Sequence, residues 1–103
     1  MSRWRLPDWL VAMTTRFLLG EIYPDIVAIA LSFTEDNILT IRYYVDREPN
    51  DEDYESMSEL DTNIEASLPL GFLKAVNLEC IRAKGRANTL DPLDGFVYLK
   101  YLP

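Results

Sequence analysis

Histidine is absent from this chain of 103 residues. That removes the commonest general base and the commonest transition-metal ligand together, so serine or cysteine catalysis through a histidine base is excluded. Cysteine occurs once, as Cys80, so no intrachain disulfide can form. Secreted domains of this size usually carry bridges, and a reducing, cytoplasmic setting is the expectation. The four glycines, Gly20, Gly71, Gly85 and Gly95, are too scattered to cradle a phosphate. Behind the two N-terminal arginines the longest apolar stretch is Trp9–Met13, closed by Thr14, Thr15 and Arg16. That is too short for a signal core or a membrane span. Basic side chains are also few: ten, against seventeen carboxylates, for a net charge of −7. Such a field repels nucleic acid and anionic membranes and attracts basic partners. No cofactor or metal site is expected. Residue type alone leaves a paired-carboxylate hydrolase open, but a fold this small offers little cleft in which to desolvate an acid. Binding, and not catalysis, is the expected activity.

What is present fits one folded domain spanning 1–103, with 49% hydrophobic residues and twelve aromatic side chains to fill its core. Residues 7 to 19 read as a helix. Pro7 suits a first helical position, Asp8 favours the positive end of the dipole, and Gly20 fits the left-handed position after the last turn. Leu6, Leu10, Met13 and Phe17 recur at helical spacing. Two strands follow Pro24, Ile26–Phe33 and Ile38–Val45, each with larger apolar residues at a period of two. Thr34 to Asn37 make a hairpin turn between them. Asn50 caps a second helix running to about Ser67, with Tyr54, Met57, Leu60, Ile64 and Leu68 as its buried stripe. Val76, Leu78 and Cys80 mark a third strand, with Cys80 as a small core residue. A polar loop from Ala83 to Gly95 precedes a final strand, Phe96–Leu102, apolar on both faces. The order α-β-β-α-β-β defines an α+β domain, expected as one antiparallel sheet with two helices on one face. Arg82, Lys84 and Arg86 lie near Asp91 and Asp94 and read as local ion pairs; a nucleic-acid site needs a broader basic stripe.

The charge is concentrated. Residues 46–65 hold Asp46, Glu48, Asp51, Glu52, Asp53, Glu55, Glu59, Asp61 and Glu65, opposed only by Arg47. Asp51, Glu52 and Asp53 fall in the first helical turn, where the macrodipole favours acids, and Asn50 with Asp53 resembles a capping box. The later acids have no such reason. At ~100° per residue Glu52, Glu55 and Glu59 project together, and as i,i+3 and i,i+4 neighbours they repel. No lysine or arginine lies between residues 48 and 73 to relieve them. A solvated acidic face is the bland explanation. The functional one is a docking face for a partner rich in lysine and arginine, with Tyr43 and Tyr44 as aromatic anchors. Tyr54 lies on the buried stripe and reads as core.

Two stretches carry a resemblance. Leu19-Gly20-Glu21-Ile22-Tyr23-Pro24, then Ile41-Arg42-Tyr43-Tyr44-Val45-Asp46-Arg47-Glu48-Pro49 running into Asp51-Glu52-Asp53-Tyr54-Glu55, resembles small bacterial immunity proteins of contact-dependent growth inhibition and related polymorphic toxin systems. So does Leu90-Asp91-Pro92-Leu93-Asp94-Gly95-Phe96-Val97-Tyr98. The resemblance implies that the chain binds the C-terminal toxin domain of a matching effector in the cytoplasm and blocks it. Such domains are often nucleases with basic grooves. On that basis Glu52, Glu55 and Glu59, supported by Asp46, Glu48, Asp51 and Asp53, are expected to face the toxin. Asp91 and Asp94 form a second candidate patch, with turn residues as the competing explanation. Two other classes share parts of the pattern: an acidic mimic of nucleic acid that inhibits a DNA-binding protein, and a structural adaptor that pairs through its last strand. A monomer is the expected state.

Overall fold

A computed structural model describes residues 6–84 and 89–100. Helix α1 (Asp8–Leu18) starts after an extended Pro7, and Gly20 follows its end at φ +80°, a region a Cβ disfavours. Strands β1 (Ile26–Phe33) and β2 (Ile38–Val45) form an antiparallel hairpin. Its turn is closed by the Thr34 hydroxyl, which accepts from the Ile38 N–H at 3.1 Å, and by Asn37 at φ 63°, a conformation asparagine tolerates. Helix α2 (Asp51–Ala66) opens with a full capping box. The Asn50 side chain accepts from the Asp53 N–H, and the Asp53 carboxylate accepts from the Asn50 N–H. Strands β3 (Ala75–Arg82) and β4 (Gly95–Leu99) complete the order. The sequence places the final strand out to Leu102, but 101–103 lie outside the described residues.

The sheet runs β3-β2-β1-β4, and it is mixed, where a wholly antiparallel one was expected. Strand β3 pairs with β2 in parallel, from Ile38 opposite Ala75 to Val45 opposite Arg82. The cause is α2. A helix of 16 residues returns the chain to the starting end of β2, so the next strand must run the same way. Both helices pack on one face, as the sequence implies. Leu10 and Leu18 of α1 and Met57, Leu60 and Ile64 of α2 share a core with Ile29, Leu31, Leu39, Ile41, Tyr43 and Cys80.

The second face carries a smaller cluster. A bulge at the start of β1 turns Val27 and Ala28 to that side, where they join Ala30 and Tyr44 under Leu90, Leu93 and Phe96. The last strand does face both ways: Phe96 packs there, while Val97 and Tyr98 join the helical side. Central β1 is thus covered twice, and Ile26 to Leu31 are all buried. The α2 stripe differs from expectation in one residue. Asp53, Met57, Leu60 and Ile64 are buried, whereas Tyr54 is 43% exposed. An aspartate has taken the first core-facing position.

Candidate functional site

Asp53 sits at the centre of a polar hub with no exposed surface. Its carboxylate accepts from Arg47 Nη1 and Nη2 at 2.9 and 3.0 Å, from the Tyr23 hydroxyl at 2.5 Å, and from the Asn50 N–H at 2.9 Å. Arg47 Nε donates to Asp25 Oδ2 at 2.6 Å. A buried charge is tolerable when its lone pairs are filled and a counter-charge faces it; here both conditions hold. The Arg47 guanidinium, with Tyr23 and the Asn50 N–H, holds the Asp53 carboxyl well below the usual range despite burial. Burial, then the Asp53 charge, pushes the Tyr23 phenol up and the Cys80 thiol up to about 12. A thiol so protonated is a poor nucleophile. Four parts of the chain meet in this hub: the approach to β1, the end of β2, the α2 N-terminus and β3. Asp53, expected from the sequence to face outward, is instead enclosed and bonded within the fold.

The two tyrosines expected as surface anchors are covered too. Tyr43 is 1% exposed, on the helical side of the sheet, with its hydroxyl 3.2 Å from Ser56 Oγ. Tyr44 is 4% exposed on the opposite side, and its hydroxyl donates to the Asp91 carbonyl at 2.8 Å. Adjacent strand residues face opposite ways, and here both faces are covered. Tyr54, read from the sequence as core, is the exposed aromatic of α2.

Asp91 and Asp94 serve the turn. Asp91 Oδ1 accepts from the Leu93 N–H at 2.9 Å, and Asp94 Oδ2 accepts from Ser32 Oγ at 3.1 Å and the Phe33 N–H at 3.0 Å. Arg82 does not pair with them. It reaches Glu48 across 3.5 Å, between exposed side chains, a contact of little energetic weight. Arg86 lies outside the described residues. Arg42 is bound to Glu79 at 2.7 Å and stacks over Tyr44.

What remains of the acidic segment is a surface. Asp46, Asp51, Glu52, Glu55 and Glu59 are exposed. None of the ion pairs among the described residues involves any of them. Glu52, Glu55 and Glu59 follow one flank of α2 at helical spacing, and Glu59 lies beside Phe17 and Leu18 of α1. Sequence reasoning passed over a neighbour of that flank. Glu21, between α1 and β1, lines with Glu59 a groove of about 330 Å³ that runs between the two helices. Nothing local in Leu19-Gly20-Glu21 signals this, because only the tertiary packing joins the two acids. On the other flank, burial and then the nearby Glu65 raise the Asp61 carboxyl to about 7, and its buried Oδ1 has no hydrogen-bond partner. Among the described residues no group of acids and cysteine is arranged to hold a metal ion, and no helix is long and apolar enough to cross a membrane.

The exposed acidic flank of α2, which takes part in no ion pair among the described residues, is mounted on a small α+β scaffold. The family comparison supplies the rest: residues 7–101 match the sequence model of the MafI2 immunity proteins, and the chain belongs to that family of bacterial polymorphic toxin systems. No curated protein matches it. The function is immunity against a toxin.

Proposed function

We propose that the chain neutralises the C-terminal toxin domain of a contact-dependent growth inhibition effector, or a related one, by docking the exposed flank of α2 on its basic surface. Glu52, Glu55 and Glu59 form the centre of the face; Asp46, Glu48 and Asp51 extend it. The toxin is a nuclease whose groove binds phosphates, and the glutamates occupy the place of those phosphates. The chain acts as a monomer in the cytoplasm and turns over no substrate.

One observation carries this reading: three repelling glutamates on a rigid helix, with no cation of the described chain against them. Glu48 is a rim residue, since Arg82 already faces it. Co-expression with the matching toxin domain, scored for survival, tests the function. Glu55→Lys with Glu59→Lys tests the site. The double variant is expected to fold, to associate more slowly and to lose protection. A neutralised acid that meets a buried toxin arginine loses ~2–5 kcal/mol of binding, and a rim acid far less. Association by the wild type slows as salt rises. Undiminished affinity in a folded double variant removes the docking face from α2.

A further inference from the structure

The groove between the helices has a definite chemistry. At its base Ser56 lies 3.2 Å from the hydroxyl of the buried Tyr43. The Phe17 ring and the Leu18 and Leu60 side chains supply apolar wall, and the Asn63 amide adds a further polar group. Two carboxylates, Glu21 from the α1–β1 connection and Glu59 from α2, line the same space. Neither takes part in an ion pair among the described residues. Arg16, the nearest basic residue in sequence, lies over the Phe17 ring at 5.7 Å and is not among the lining residues. The Glu21 charge is felt inside: together with burial, the larger cause, it raises the Tyr43 phenol. A second cavity, about 390 Å³ against Leu6, Val11, Ala12 and Phe96, has Asp8 as its one charged lining residue. Of these two, the inter-helix groove is the one lined by a pair of carboxylates.

We infer that this groove receives one arginine side chain of the toxin domain, clamped between Glu21 and Glu59. This rests on the proposed function and deepens it, since Glu59 belongs to the docking face and Glu21 is new to it. Arginine fits better than lysine for two reasons. A flat guanidinium can stack on the Phe17 ring while its stem lies along Leu18 and Leu60. Its five donors can be shared among two carboxylates, the Ser56 hydroxyl and an amide oxygen, where an ammonium offers three from a single point. A guanidinium withdrawn between two carboxylates gives a central contact, unlike the exposed acids further along α2, which stay wet.

The test is calorimetry on the complex with the matching toxin domain. Glu21→Gln and Glu59→Gln are each expected to weaken binding tenfold or more. The double variant should lose much less than the product of the two losses, because both acids hold one cation. Glu35→Gln, at the β1–β2 turn and the far end of β1, should leave affinity unchanged. Glu21 is exposed, so its variant should keep the wild-type Tm, which confirms that a loss is not unfolding. Among arginine-to-glutamate variants of the toxin domain, one should restore binding to Glu21→Arg. If a lysine-to-glutamate variant restores it and no arginine does, the assignment to arginine is overturned. Wild-type protection with full affinity in Glu21→Gln overturns the groove and leaves the proposed function standing. A wild type that neither binds nor protects overturns both.

Discussion

Asp53 and Glu52 are neighbours on one helix, and the chain treats them in opposite ways. Asp53 is fully enclosed, with its charge answered by a bidentate Arg47 and its remaining lone pairs filled by Tyr23 and Asn50. Glu52, Glu55 and Glu59 stand in water, and no cation among the described residues answers them. The difference teaches that an excess of acid is not one property. Part of it is architecture, compensated inside the fold; part is left uncompensated at the surface, where only a second molecule can complete it.

The sharpest way to break the comparison is to remove the enclosed charge. Asp53→Asn leaves the partly exposed Arg47 with Asp25 as its remaining carboxylate and weakens the helix cap, and is expected to cost on the order of 2 kcal/mol. Urea denaturation at pH 7 measures it. The same linkage has a pH signature. The folded-state carboxyl is held low, so its contribution is full above the unfolded value near 4 and lost as pH falls further. In the variant this part of the acid destabilisation should disappear. Toxin affinity of the folded fraction should be unchanged; a large loss of it would place Asp53 in the docking face after all.

Asp61 gives a smaller effect of opposite sign. Its carboxyl is raised to about 7, so the native state holds a proton that the unfolded chain has released above pH 4. Stability should therefore fall as pH rises from about 4 to 7. Asp61→Asn should remove that slope and stabilise the protein at pH 8 by about 1 kcal/mol. This is well under the full linkage value because the carboxyl is partly solvated. Thermal melts across pH, wild type against variant, decide it.

The smallest change sharpens the contrast most. Glu55→Lys replaces two repulsions, with Glu52 and Glu59, by two attractions, and should add about 0.5 kcal/mol of stability. The same substitution should impair toxin binding. A gain in one assay and a loss in the other separates a face kept for a partner from one that merely tolerates its charge.

Much of this was legible in the sequence because the signals are local. Period-two alternation gives β1 and β2 their ends, and Asn50 with Asp53 does form the capping box that opens α2. What failed was long-range. The parallel β2–β3 pair follows from the helix between them, which fixes strand direction whatever the strand sequences say. The stripe on α2 took Tyr54 as core because an apolar scale ranks tyrosine above aspartate, and such a scale cannot know that Arg47 will neutralise Asp53. Tyr43 and Tyr44 read as surface because strand ends often are, yet one is sealed by the helices and the other by the turn at Asp91. The strings resembling the immunity family supply Tyr23, Arg47 and Asp53 to the hub. They mark the scaffold more than the docking surface.

The hub has a mechanical consequence for recognition. It ties the first turn of α2 to the approach to β1 and the end of β2, so the helix cannot swivel or fray there without parting the buried Asp53 from Arg47. A partner meets a stiff template, and little freedom of the backbone is surrendered on contact. Tightness in such a complex should show itself as a long residence time, with departure, and not arrival, the step that substitutions at the interface change most.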